Sequence, residues 1–489
     1  MRDALNVALG RDYIQVILEN YLRSDVNYDE VVKEVEWFSR LDPGDIRVED
    51  SLWQRTIEVV RGMFRLKNKG HCHHYNELFD NEELRSTLPL SHSPGLPFTD
   101  DGTAKTKGEA MEIIRQEMRT RIHHCKVKKN KLLLSPVKIS IRNHMINSPL
   151  ANKVRGVYAY PTDAWMVEVM LYKDLIKKYN EEDTAYGLNV VPILGGLNRI
   201  HVSKAKIGID ISKFDKSVAK QTIGVAFDII QENIDWTVYA DGGIPDSSAL
   251  LHLHKVMEDY FINTPMVTPD GGVYVKRSGV PSGTHLTNLV DSIAMALMTV
   301  YVCMKLAIPV DYSKCKFMGD DAYIVTLYDD YIPGFEIKQF AEEAWFGFGQ
   351  VVNDVKSKML KNNESEFAGY EIEGREDMPH RNIHGLVAGL LLPETPDRCA
   401  DDALRRLIGI SYAGGFSKKF LAACKIAEDI LVPQCTKEFA PKRDILRFMR
   451  VLGVPIEYQT SVCTPERFKS LVTQKSMGRL DHLIYYNDD

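Results

Sequence analysis

Lys316-Phe317-Met318-Gly319-Asp320-Asp321-Ala322-Tyr323-Ile324-Val325 sets two apolar segments on either side of a Gly-Asp-Asp triplet. Glycine permits the tight reversal of a hairpin, and the apolar flanks predict strands running into buried structure. The triplet alone is a weak signal, but those flanks make a solvated surface turn the poorer explanation. Two neighbouring carboxylates at such a tip repel each other unless a cation sits between them. A second stretch has a similar design: Lys206-Ile207-Gly208-Ile209-Asp210 predicts a strand ending on an acid, with Asp215 five residues on. Taken alone, an acid at a helix N-terminus would account for that spacing. Nucleotidyl transfer changes the balance, because it uses two metal ions about 3.5–4 Å apart, held by carboxylates from separate strands. Asp210 and Asp320 suit that role on one condition. The strand of Asp210 must pair beside the hairpin of Asp320 in a single antiparallel sheet.

The wider composition is globular. Of 489 residues, 44% are apolar and 26% charged with both signs mixed, which excludes a disordered, collagen-like or disulfide-stapled chain. The length predicts two to four packed units, or one enzyme with subdomains around a site. There is no internal repeat and no low-complexity tract. The longest uninterrupted apolar candidate is the short Gly385–Pro393 stretch, below the roughly 18 residues of a spanning helix, so no membrane contact is expected. The first residues, Met1-Arg2-Asp3-Ala4-Leu5, lack an apolar core of signal-peptide length, so no secretion is expected either. Eight cysteines without a CxxC pair predict reduced thiols. His71-Cys72-His73-His74 and His123-His124-Cys125 carry zinc-type ligands, but adjacent residues point in different directions, and polar surface is the expectation there.

A net charge of −6 does not by itself suggest a partner rich in phosphate. Its distribution does. From Met118 to Thr162 there is no acid, while Arg119, Arg121, Lys126, Lys128, Lys129, Lys131, Lys138, Arg142, Lys153 and Arg155 all fall there. Such a one-signed stretch predicts a local field aimed at a polyanion, against the alternative of a solvated basic face.

Apolar spacing predicts helices over most of residues 1–90, through Ile14, Ile17, Leu18, Tyr21 and Leu22 and again through Trp53, Ile57, Val60, Met63 and Phe64. Ser91-His92-Ser93-Pro94-Gly95-Leu96-Pro97-Phe98 predicts a rigid loop, since its prolines forbid helix. A long apolar helix is predicted from Thr284 to Leu306, directly after Pro281-Ser282-Gly283, and the pattern is helical again beyond about residue 375, apart from loops around Pro393–Pro396.

In this order, these segments resemble motifs A, B and C of viral RNA-dependent RNA polymerases: Asp210-x4-Asp215, then Ser282-Gly283-x3-Thr287, then Gly319-Asp320-Asp321. Asp291 stands where many positive-strand polymerases have Asn. That departure, with Ser93-Pro94-Gly95-Leu96-Pro97, Lys153-Val154-Arg155-Gly156-Val157-Tyr158-Ala159-Tyr160-Pro161 and Phe367-Ala368-Gly369-Tyr370, is most similar to the partitivirus and picobirnavirus group of double-stranded RNA viruses. The collinear likeness runs from about residue 91 to 395.

The resemblance implies roles residue by residue. Asp210, Asp320 and Asp321 would hold two Mg2+ ions, with Mn2+ as the alternative. Asp215, Ser282, Thr287 and Asp291 would bind the nucleotide, Asp215, Ser282 and Asp291 by sensing the ribose 2′-hydroxyl that DNA lacks; Asp at 291 keeps an acceptor but removes a donor. Lys153 and Arg155 match motif F, whose cations neutralise the triphosphate. Lys138 and Arg142 would either join them or contact template RNA. Lys356, in Asn353-Asp354-Val355-Lys356-Ser357, matches the motif D lysine that protonates pyrophosphate, with Lys358 as its competitor. Ser93, Gly95 and Gly283 would lie along the RNA, and Phe367–Tyr370 would support the primer strand.

The implied fold is α+β with much helix: a closed right hand with an antiparallel palm sheet. Fingers would comprise 1–205, including an N-terminal extension, and an insertion at 224–272; palm would be 206–223 and 273–374, thumb 375–489. The implied activity is RNA-directed RNA polymerase, replicating and transcribing a double-stranded RNA genome inside a viral capsid and in host cytoplasm. Partners would be template and product RNA, nucleoside triphosphates and capsid protein. Two rivals remain: a reverse transcriptase, disfavoured by Gly319 and by the small Asp215, and a catalytically silent RNA-binding protein of the same fold, disfavoured by the retained acids.

Overall fold

The computed structural model describes residues 1–25, 27–40, 46–147, 154–187, 197, 200–374, 378–436, 454 and 458–476. Helix outweighs strand, about 51% against 15%. Along the chain the strands are β1 (Tyr21–Arg23), β2 (Gly70–Cys72), β3 (Val137–Asn143), β4 (Met145–Asn147), β5 (Val154–Ala159), β6 (Lys206–Ile209) and β7 (Ile234–Tyr239). They continue with β8 (Pro265–Val267), β9 (Val273–Val275), β10 (Lys316–Met318), β11 (Asp321–Val325), β12 (Lys358–Leu360), β13 (Glu364–Phe367) and β14 (Tyr370–Glu373).

The sheet that matters most has the order β10-β11-β6-β12 and is antiparallel at every pairing. The predicted hairpin therefore forms, and the Asp210 strand lies directly beside it. A second four-stranded sheet, β5-β3-β8-β9, is mixed, because β3 pairs β8 in parallel. The Thr287–Lys305 helix backs β10 and β11 and is flanked by the helices Asp50–Met63, Lys220–Glu232 and Ile337–Phe348. It corrects the expectation that no apolar segment is long enough to span a membrane, since its length and composition suffice. Its apolar window is 83% buried within the protein, which is the environment of a core helix.

A second core joins the N-terminal helices to helices beyond residue 383. Ala4, Leu5, Ile14 and Ile17 pack with Leu386–Leu390, Leu404–Ile408, Phe420–Cys424 and Phe468–Val472. The Arg2–Leu9 helix lies on the Lys418–Leu431 helix, and the Arg11–Asn20 helix on the Ile383–Leu391 helix. The helical reading of Tyr21 and Leu22 is corrected: both belong to β1, which pairs with β4, because the chain must leave the bundle here and find new backbone partners. All eight cysteines are free thiols.

Candidate active site

Register places the acids. Ala322 pairs with Ile209, so the next step along the same register sets Asp321 opposite Asp210. Met318 pairs with Asp321 and leaves Gly319 and Asp320 as a two-residue loop. Gly319 has φ +65° and Asp320 is not in the left-handed region, the pattern of a type II′ hairpin with glycine first. The loop is tied to the helix behind it: the Gly319 N–H donates to Ser292 Oγ at 2.8 Å, and that hydroxyl donates to the Asn288 carbonyl at 2.6 Å.

Asp210 is held from the other side. Its N–H donates to Ser357 Oγ at 3.0 Å, and its carbonyl accepts from Asn353 N at 2.8 Å. The same segment brings Lys356 Nζ to 3.3 Å from Asp210 Oδ2. Lys358 turns elsewhere, 2.7 Å from Glu366 and 3.9 Å from Glu371 on the β13–β14 hairpin. The structure thus brings Lys356, and not Lys358, to the acids.

Burial, followed by the charges of Asp320 and Asp210, pushes the Asp321 carboxyl up to about 7. This crowding of hard oxygen donors suits a divalent cation, which would relieve the repulsion. Among the described residues, no three His, Cys, Asp or Glu side chains converge into a ready-made metal cage. Mg2+ does not require one, because it keeps several waters and binds through one or two carboxylates plus substrate phosphates.

The segment Lys276–Thr287 folds over Asp215. Val280 N–H donates to the Asp215 carbonyl at 2.6 Å, and Gly279 N–H to Val218 O at 2.7 Å. Gly279 has φ +77°, and a Cβ there would lie 2.5 Å from Asp215 O and 2.7 Å from Lys216 Cα. Thr287 spends its hydroxyl inside the loop, donating to Pro281 O at 2.6 Å. Asp291 is buried on the Thr287–Lys305 helix, and its Oδ1 lacks a hydrogen-bond partner among the described residues. Burial first, then Asp215 and Asp320, hold its carboxyl well above the usual range, while Lys276 acts the other way. Lys276 is itself pushed down to about 7 by burial, against the pull of Asp291.

The predicted basic stretch divides. Lys126 is drawn inward, its Nζ donating to Tyr239 OH at 3.2 Å, and Lys129 Nζ donates to Ser248 O at 2.9 Å. Lys138 pairs with Asp100, and Arg142 makes a two-pronged ion pair with Glu394. Lys126 and Lys129 are thus each engaged by a neighbour within the protein, Lys126 half-buried and Lys129 still exposed. Lys153 lies outside the described residues, as does the side chain of Arg155; the backbone of Arg155 pairs with Arg142 in β5–β3. Ser93 is exposed, whereas Gly95, at φ +73°, packs so closely that a Cβ would meet Pro161 Cα at 2.8 Å. Gly283, at φ +94°, likewise abuts the Tyr158 carbonyl, at 2.8 Å from its would-be Cβ.

Sequence reasoning missed Gly279, Ser292 and Ser357. Ser278-Gly279 upstream of Pro281-Ser282-Gly283 was a readable signal of a second tight backbone approach. Ser292 and Ser357 gave no local signal, because each matters only through a partner remote in sequence.

The family model described as viral RNA-dependent RNA polymerase matches residues 12–375. The RNA-directed RNA polymerase of Cryptosporidium parvum virus 1 (strain KSU-1) is 26% identical over 356 residues, covering 67% of this chain and 63% of that protein. That of White clover cryptic virus 1 is 22% identical over 313 residues, 57% and 48% of the two chains. The match thus spans less than two thirds of the length of these curated relatives. Among solved structures, the RNA-dependent RNA polymerase of a human picobirnavirus superposes with TM-score 0.63 at 12% identity, over 95% of this chain and 87% of that one. The Sicinivirus 3Dpol RNA-dependent RNA polymerase gives TM-score 0.63 at 14% identity, over 93% of each. At such identities these structures speak for the fold. With the family model matching well over half of its length, the chain belongs to the viral RNA-dependent RNA polymerase family.

Proposed function

We propose that this chain is a template-directed RNA polymerase that replicates and transcribes a viral double-stranded RNA genome by two-metal nucleotidyl transfer. The observation that carries the reading is the pairing of β11 between β10 and β6, which gathers Asp210, Asp320 and Asp321 at one end of one sheet. Asp210 and Asp320, with Asp321 beside them, would hold two Mg2+ ions, with Mn2+ as the alternative. When bound, the ions supply charge neutralisation at the phosphates and activation of the attacking hydroxyl. Lys356, already 3.3 Å from Asp210, donates a proton to the departing pyrophosphate. Asp215, Ser282 and Asp291 read the ribose, and Thr287 shapes the loop that presents Ser282. Lys153 and Arg155 neutralise the triphosphate, while Ser93, Gly95 and Gly283 border the RNA. Arg142 contacts template only when it releases Glu394.

The β10-β11-β6-β12 sheet serves as the palm, within 206–223 and 273–374. Fingers comprise 1–205 and 224–272, and the thumb 375–489. Packing of Ala4–Ile17 with Leu386–Val472 supports a closed hand, because the first residues are fastened to the last unit. Capsid protein is the proposed partner, in the virion interior and host cytoplasm. The test is extension on a single-stranded RNA template, with and without primer, using ribo- or deoxyribonucleotides. Template-dependent RNA product is expected; preferential deoxyribonucleotide use would favour a reverse transcriptase, and no product with either would favour a silent RNA-binding protein.

A further inference from the structure

Glu168 lies on the Thr162–Glu181 helix with 1% of its surface exposed. Its Oε1 accepts from Tyr160 OH at 2.9 Å, and its Oε2 accepts from the backbone N–H of His285 at 2.9 Å. Tyr160 follows β5 directly, and His285 sits in the loop between Ser282 and Thr287. One buried carboxylate therefore joins two segments more than a hundred residues apart. Lys107, also buried, donates to the Tyr160 carbonyl at 2.6 Å. Burial pushes the Glu168 carboxyl up to about 7, while the His285 N–H, the Tyr160 hydroxyl and the Lys107 charge all favour its ionised form. The His285 ring stacks on Trp165, one turn before Glu168, at 6.1 Å between centroids and 24° between planes. A third segment meets the same place: Thr162 N–H donates to Pro94 O at 3.0 Å, and its hydroxyl to the same oxygen at 2.8 Å.

A carboxylate is costly to bury, and an apolar side chain would fill the space without that penalty. What the carboxylate adds is two acceptors on one rigid group, aimed at donors from different segments. The His285 N–H precedes the Thr287–Lys305 helix, where no intrahelical acceptor exists for it, so Glu168 fixes the angle at which the loop enters that helix. We propose that Glu168 is a positioning residue for nucleotide addition, holding the Pro281–Thr287 loop against the β5 end so that Ser282 meets the incoming ribose. This rests on the polymerase reading above. Glutamine can keep an acceptor on His285 while its amide meets the Tyr160 hydroxyl, whereas leucine fills the space and offers neither.

The test compares Glu168→Gln and Glu168→Leu in the full chain. Hydrogen exchange of the peptide covering 281–287 is measured alongside nucleotide KM, kcat and the ratio of ribo- to deoxyribonucleotide incorporation on an RNA template. Glu168→Leu should lower ribonucleotide kcat/KM by roughly ten- to hundredfold, mainly through KM and the sugar ratio, with faster exchange confined to that loop. Glu168→Gln should stay within about threefold of the parent. Should Glu168→Leu fail to fold, Tyr160→Phe, which strips one donor and opens no space, is read the same way and should accelerate exchange in the 281–287 peptide. Unchanged KM and sugar ratio in a folded leucine variant, or exchange accelerated equally across the 383–413 helices, would overturn the proposal. If the parent protein makes no RNA at all, the polymerase reading fails, while the exchange measurement still decides whether Glu168 holds the loop.

Discussion

Replacing Gly279 by alanine should part the two segments that carry Asp215 and Ser282. At φ +77° the added side chain meets a torsional penalty of about 1–2 kcal/mol. Its Cβ would also lie 2.5 Å from Asp215 O, 2.7 Å from Lys216 Cα and 2.8 Å from Phe38 Cε1. Two of those atoms are backbone and cannot swing aside, so a further ~1–3 kcal/mol of overpacking is expected. Gly242 provides the control, because φ is +85° there and nothing lies within 4 Å of its would-be Cβ. Gly242→Ala should show the torsional part alone. The two variants are compared by the shift of the main transition in urea and by ribonucleotide incorporation. Gly279→Ala should be less stable than Gly242→Ala by ~1–3 kcal/mol and lose at least about tenfold in incorporation, because its strain falls on Asp215. Equal shifts in stability and equal activity would refute the reasoning that the contact with Asp215 shapes the site.

Two further outcomes follow from the geometry. Lys356→Ala should lower kcat by roughly 10²-fold or more with little change in RNA affinity, whereas Lys358→Ala, whose ammonium faces Glu366, should lower it far less; single-turnover rates on a primed template separate them, and the reverse order would contradict the assignment. His254 is buried, bonded to Tyr172 OH at 3.0 Å, and burial pushes its imidazole down to about 3. The unfolded chain therefore binds the extra proton between the ordinary 6.5 and about 3, so stability falls as pH is lowered through that window, by roughly 3–5 kcal/mol at its acid end. His254→Phe should flatten that acid limb, and parallel stability curves for parent and variant from pH 7 to 4 would exclude it.

The parts of the fold legible in the sequence were those with a local period or a local turn. The hairpin around Gly319, the strand before Asp210 and the Thr287–Lys305 helix each announce themselves in a few residues, and the pairing of β6 with β11 followed from the chemistry asked of their acids. Motif likeness favoured Lys356 over Lys358, but which ammonium reaches Asp210 was not legible, because it depends on where β12 begins and on Glu366 waiting beside it. Nor could sequence show that Lys126 turns inward onto Tyr239 or that Arg142 is met by Glu394, since both partners lie more than a hundred residues away. Residues 2–20 read correctly as helical, yet their partners, the helices beyond 383, carry no mark of that association beyond an apolar face. Glu168 was hidden for a related reason. The one acid within the apolar run Ala164–Tyr172 has no readable partner until its two donors arrive from other segments of the chain.

The central claim, that Asp320 beside Asp210 carries RNA-templated nucleotide addition, is tested most directly by Asp320→Asn in a primer-extension assay over a Mg2+ series. The substitution keeps the side chain's shape and removes its charge at the tip of the β10–β11 hairpin. The variant should fold and bind RNA like the parent while losing at least about a hundredfold in extension rate at every Mg2+ concentration. Extension within about tenfold of the parent, with the same Mg2+ dependence, would contradict the account.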